Sequence, residues 1–146
     1  MAARKDRRAK SAGRSSMPGP YSAIPHALQD TDDFRLLSGG AIKVLLGLIR
    51  QYRGQNNGDL SASFTQAKLW GINSKTTLAK ALDELQTRNL IVRTREGRFI
   101  KPGGCCALYA LTWQPINECD GKLEVAATVT APRKLSLERA IGKSAA

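Results

Sequence analysis

Residues 61–95, SASFTQAKLWGINSKTTLAKALDELQTRNLIVRTR, decide the fold. They read as a short helix, a tight glycine turn, a second helix and then a basic strand. Ser63 followed three residues later by Gln66 is a capping-box pattern, which satisfies amides at a helix start from both sides. Phe64, Ala67 and Trp70 fall on the inner face of that first helix. Gly71 stands where a left-handed residue stops it at no steric cost. Ile72 plugs the angle between the two helices. Asn73 or Ser74 caps the second helix, in which Leu78, Ala81, Leu82 and Leu85 share one face at i, i+3, i+4, i+7. The opposite face carries Lys75, Thr76, Ala79, Lys80 and Asp83. Arg88-Asn89 closes the helix, with Asn89 able to turn left-handed. Residues 90–95 are a strand by their β-branched content. Leu90, Val92 and Thr94 point one way and Ile91, Arg93 and Arg95 the other.

Upstream, residues 39–53 predict another helix, capped by Ser38. Ile42, Leu45, Leu46 and Ile49 follow helical spacing, and Val44 and Leu48 widen the stripe. Such a stripe suits a buried core helix; a dimer seam is the other reading. Gly47 inside it costs about 1 kcal/mol against alanine, and close packing of another helix would explain its presence. A turn at residues 54–58 follows, and Asp59-Leu60 supplies a short strand to pair with what lies downstream. There, Glu96-Gly97 is a turn, residues 98–101 a return and residues 107–113 another strand. The expected fold class is therefore α+β: a three-helix helix-turn-helix core with a basic-tipped β-hairpin wing.

The flanks are less explicit. Residues 1–20 hold little that is apolar and are read as a disordered basic tail, either an arm that touches nucleic acid or a solvated extension. Pro25 interrupts helix in residues 21–37, where Phe34, Leu36 and Leu37 are expected to anchor onto the core. Beyond residue 113 the pattern fades. Residues 122–130 suggest an edge strand, and Pro132 onward a polar tail with a short helix at 135–141. The organisation expected is a tail at 1–20, one domain at 21–113 and a partly disordered extension at 114–146.

The 146 residues carry 23 Lys and Arg against 12 Asp and Glu, a net charge of +11. That balance favours a polyanionic partner. The surplus is concentrated in residues 1–16 and in residues 68–101, each with a net charge of +5. The second cluster coincides with the second helix and the wing. Neither a secretion signal nor an apolar run long enough for a membrane span is visible, so the expectation is a soluble, cytoplasmic protein. Cys105, Cys106 and Cys119 do not form a disulfide framework, and without a CxxC pair or a nearby histidine they do not suggest zinc. Reduced thiols are the plain reading and a redox sensor the alternative. No phosphate-binding glycine motif occurs. Asp83-Glu84 diverge on a helix, so no converging set of carboxylates suggests a metal-dependent nuclease. No enzyme activity and no cofactor are expected.

The major groove of duplex DNA admits a helix and shows each base pair as a distinct donor and acceptor pattern. Ser74, Lys75, Thr76 and Thr77, early in the second helix, are the side chains suited to read it. Lys80, one turn on, reaches phosphate. Arg93, Arg95, Arg98 and Lys101 are the candidate wing contacts; phosphate contacts of this kind position a protein without specifying sequence.

The strings LLSGGAIKVLLGLIRQYRG and LSASFTQAKLWGINSKTTLAKALDELQTRNLIVRTREG resemble winged-helix DNA-binding domains. They are most similar to those of MarR- and GntR-type regulators and of phage or plasmid replication initiators. The close "ALDELQTRNLIVRT" matches the usual "AL.EL...GLI.R", with Asn89 where glycine is common. The resemblance implies a recognition helix at 74–88, a wing at 93–101 and no cofactor. It implies sequence-specific binding of double-stranded DNA by a small bacterial or mobile-element transcription regulator or replication accessory protein. The chain is too short for a GntR-type effector domain, and long MarR-type flanking helices are absent from its pattern. A second reading is a protein-interaction module on the same fold, such as a phage-encoded inhibitor of a host nucleoprotein. A homodimer and a protein partner both stay open.

Overall fold

Ser38, Ser63 and Ser74 each accept a hydrogen bond from the amide three residues on, those of Ala41, Gln66 and Thr77, and each begins a helix. The three helices are α3 (Gly39–Gln51), α4 (Phe64–Leu69) and α5 (Lys75–Thr87). Two single-turn helices precede them, α1 (His26–Gln29) behind Pro25 and α2 (Asp32–Arg35) capped by Thr31. The strands are β1 (Leu60–Ser61), β2 (Ile91–Arg95) and β3 (Leu108–Leu111). The computed structural model describes residues 18–98 and 104–138. The expected tail at 1–20, apart from residues 18–20, lies outside them, as do Lys101, most of the proposed return at 98–101 and residues 139–146.

The result is an α+β arrangement, helices against a three-stranded antiparallel sheet of order β1-β3-β2, compatible with a winged-helix-like layout. The core lies where α3 crosses α5. Val44, Leu45 and Leu48 are fully buried there with Leu85, and Leu78 and Ala81 nearly so. Leu82, expected among them, is half-buried. Asn89 takes the left-handed conformation at φ 56°, and the amide of Leu90 donates back to the Leu85 carbonyl at 2.9 Å, ending α5.

In the sheet, Tyr109 pairs with both Leu60 and Arg93. A bulge between Arg93 and Arg95 breaks the expected alternation. Thr94, in the bulge, is buried and donates its hydroxyl to the Gly58 carbonyl at 2.6 Å.

Not every expectation holds. Leu36 does not anchor the core; it is 61% exposed, and Leu28 is buried instead. The helix expected to reach residue 53 stops at Gln51. Gly47 does meet another helix, as its place in the sequence suggests: the indole of Trp70, at the end of α4, would have its Cε2 2.2 Å from a Cβ at that position. Residues 122–130 form no strand; they contribute single bonds, such as that from the Glu124 amide to the Thr94 carbonyl at 2.8 Å. The region beyond Pro132, expected as a polar tail, includes the buried Arg133, whose amide donates to Thr112. A helical turn begins at residue 135.

Candidate nucleic-acid interface

The α4–turn–α5 unit is set by its ends. Ser63 and Gln66 close the reciprocal capping box at the start of α4. Gly71 takes φ +84° at its finish, and Ile72 is buried in the angle. A Cβ at Gly40 would lie 3.7 Å from the Thr77 methyl, so the start of α3 lies against the start of α5. Glu84, two turns further along α5, also holds the start of α3, accepting from the Ser38 hydroxyl at 2.8 Å and from its amide at 3.2 Å.

With Leu78, Ala81 and Leu85 committed to the core, the other face of α5 is left outward. Ser74, Lys75, Thr76, Thr77 and Lys80 are all exposed. Helix geometry leaves the first-turn amides without intrahelical partners, and the helix start carries partial positive charge. Each of the five side chains named from the sequence is thus open to solvent in the first half of α5 or at its cap.

Two lysines join them that sequence reasoning did not single out. Lys68 of α4 lies 4.8 Å from the centre of the Phe64 ring, and Lys75 lies 5.7 Å from the same ring. The Lys43 ammonium of α3 would be 3.0 Å from a Cβ at Gly71, so it borders the turn. The available signals were Lys43 interrupting an apolar helix and Lys68 standing just before the glycine. Lys43, Lys68, Lys75 and Lys80 enter no ion pair among the described residues.

The arginines of the β2 region are placed differently. Arg93 donates to the Tyr109 hydroxyl at 3.3 Å and to Glu96 at 3.1 Å, with its guanidinium 5.6 Å from the Tyr109 ring. The Tyr109 bond holds its proton more tightly than usual. Arg95 directs Nε and Nη2 to the Cys106 carbonyl at 3.1 and 2.9 Å. Arg98 pairs with Glu124 at 3.1 Å. Each of the three already has a partner within the chain. Among the described residues no group of three His, Cys, Asp or Glu side chains could hold a metal ion, and no helix is long and apolar enough to cross a membrane.

No protein-family model, curated protein or solved structure matches the chain.

Proposed function

We propose that this chain is a winged-helix protein that binds double-stranded DNA sequence-specifically, with α5 as the recognition helix in the major groove. In this reading α3, α4 and α5 are the helical core and β2–β3 the wing. Its biological setting is that of a small bacterial or mobile-element transcription regulator or replication accessory protein. The observation that carries the reading is the outward face of α5: short hydroxyl side chains and two lysines with no carboxylate partner among the described residues, at the start of a helix whose other face is core. Lys75 can bond guanine acceptors, and Thr76 or Thr77 a base edge or a thymine methyl. Lys80, Lys43 and Lys68 flank that helix start and suit phosphates.

The division of labour expected from sequence shifts toward the helices. Binding phosphate through Arg93, Arg95 or Arg98 requires giving up bonds each already makes. The lysines face no such exchange.

Selection from a random duplex DNA library with the purified chain at physiological salt tests the proposal. Enrichment of one motif supports a specific reader, and the symmetry of that motif reports whether one copy or two bind. Binding without enrichment, disappearing as salt rises, would leave only the sequence-independent phosphate attraction and overturn the specific reading.

A further inference from the structure

Trp70 ends α4 and lies flat against α3 at Gly47, where a Cβ would meet three indole carbons at 2.2 to 2.6 Å. Around that ring runs an open groove made of two adjoining hollows of about 480 and 370 Å³, which share Ser22, Gly47, Arg50 and Trp70. Leu46 and Leu69 stand on its margins 41% and 86% exposed. Its charged lining is entirely basic, Lys43, Arg50 and Arg53. None of these three enters an ion pair among the described residues.

We infer that this groove docks an acidic, amphipathic peptide segment of a partner protein. The inference goes beyond DNA binding and does not depend on it. The aliphatic margins and the indole offer pockets for apolar side chains spaced along a peptide, and the three cations match carboxylates beside them. Two exposed leucines beside a half-buried tryptophan, with cations close by, give the mix of apolar and charged surface that peptide interfaces use. A second copy of this chain is disfavoured as occupant, because a chain of net charge +11 would bring like charge to a basic groove. Single-stranded nucleic acid is the competing occupant that the test must separate, because Tyr21, 61% exposed, also lines the groove and offers a face on which a base can stack.

Panning a random peptide library against the full chain tests this, with the double variant Arg50→Glu/Arg53→Glu as the comparison. Both arginines are exposed, and thermal melting checks that the variant folds. The expected result is enrichment of peptides with Asp or Glu interspersed among Leu, Ile or aromatic residues. A synthetic copy of one should change tryptophan emission saturably and bind the variant at least about tenfold more weakly, in line with losing close charge pairs. Duplex DNA binding should be altered far less. No enrichment, enrichment of basic or neutral peptides, or equal affinity for the variant overturns the inference. Oligo-dT binding that the same variant abolishes assigns the groove to nucleic acid. Self-association that the variant abolishes assigns it to a second copy. Either result also overturns the inference.

Discussion

Arg133 and Asp33, a hundred residues apart in sequence, meet at 2.9 Å. The arginine side chain is 5% exposed. Its Nη1 donates to the carbonyls of Arg88 and Asn89 at 3.2 Å, and its Nε to Glu138 at 2.9 Å. Burial works against its charge, but the bonds and charges of Glu138 and Asp33 outweigh that and hold the proton more firmly than usual. One side chain thus joins α2, the end of α5 and the segment after β3.

Arg133→Ala should therefore destabilise the whole fold. Removing one partner of a fully buried ion pair costs about 3–5 kcal/mol. Asp33 and Glu138 keep 36% and 40% exposure, so the expected loss is about 2–3 kcal/mol after screening. Urea denaturation reads it as a lower midpoint, and an unchanged midpoint would show that the segment after β3 is not part of the cooperative unit.

Gly47→Ala offers a test of the indole contact. Alanine gains about 1 kcal/mol in an ordinary helix interior. Here its methyl would enter the space of the Trp70 ring, and overpacking of this kind costs about 1–3 kcal/mol. The expected net effect is a loss of stability with a shift in tryptophan emission. Adding Trp70→Leu should make the second glycine substitution neutral or favourable. Additive losses in the double variant would sink the packing explanation.

These two cases mark where the sequence stops being legible. The caps at Ser38, Ser63 and Ser74, the Gly71 turn and the left-handed Asn89 are local events, written within three or four residues, and all are found where expected. Gly47 signalled a close approach, but nothing local says that the neighbour is Trp70. Arg133 and Asn57 lie in irregular chain where no periodicity marks burial, and their partners are distant in sequence. The same limit explains the arginines of the β2 region. Charge at Arg93, Arg95 and Arg98 is plain in the sequence, but the Tyr109 hydroxyl, the Cys106 carbonyl and Glu124 that hold them depend on β-sheet register and on the path of the chain after residue 113.

Asn57 is fully buried. Its amide nitrogen donates to the carbonyls of Leu111, Gln114 and Pro115, and its oxygen accepts from the Leu111 amide at 2.7 Å. Asn57→Asp should cost about 3 kcal/mol or more at neutral pH, since it removes buried donors and sets a charge among carbonyl oxygens. Burial and those carbonyls raise the introduced carboxyl above its unfolded value. The penalty should then grow as pH rises above the unfolded value and shrink in acid, opposite to an ion-paired carboxylate. Stability of the variant that does not improve relative to wild type as pH falls would refute this assignment.

The thiols should separate by environment. Cys106 is exposed and Cys119 half-buried, and burial pushes the Cys119 thiol above its ordinary range. Thiolate is the reactive form. Alkylation with iodoacetamide near pH 8, followed by mass spectrometry, should label Cys106 well before Cys119. Raising the pH should narrow the gap as Cys119 ionises. Equal rates at pH 8 would contradict the placement of Cys119 against the Asn57 carbonyl.

The lysine face and the wing arginines make opposite predictions for DNA. If α5 docks as proposed, Lys75→Ala should weaken the selected site by about 1–3 kcal/mol and relax preference at the base it reads. Lys80→Ala should weaken all sequences alike and reduce the salt slope by about 0.9, the signature of one lost phosphate contact. Arg93→Ala should instead lower the unfolding midpoint, because it strips Tyr109 and Glu96 of their partner, and change the salt slope little. Arg98→Ala leaves Glu124 unpaired on the surface. Its effect on DNA affinity should be smaller than that of Lys80→Ala, because the wild-type arginine must leave that carboxylate to reach phosphate. A salt slope that falls by the same amount for Arg93→Ala and Arg98→Ala as for Lys80→Ala would show that the wing exchanges its internal partners for phosphate on binding, and the helix-dominated interface would have to be abandoned.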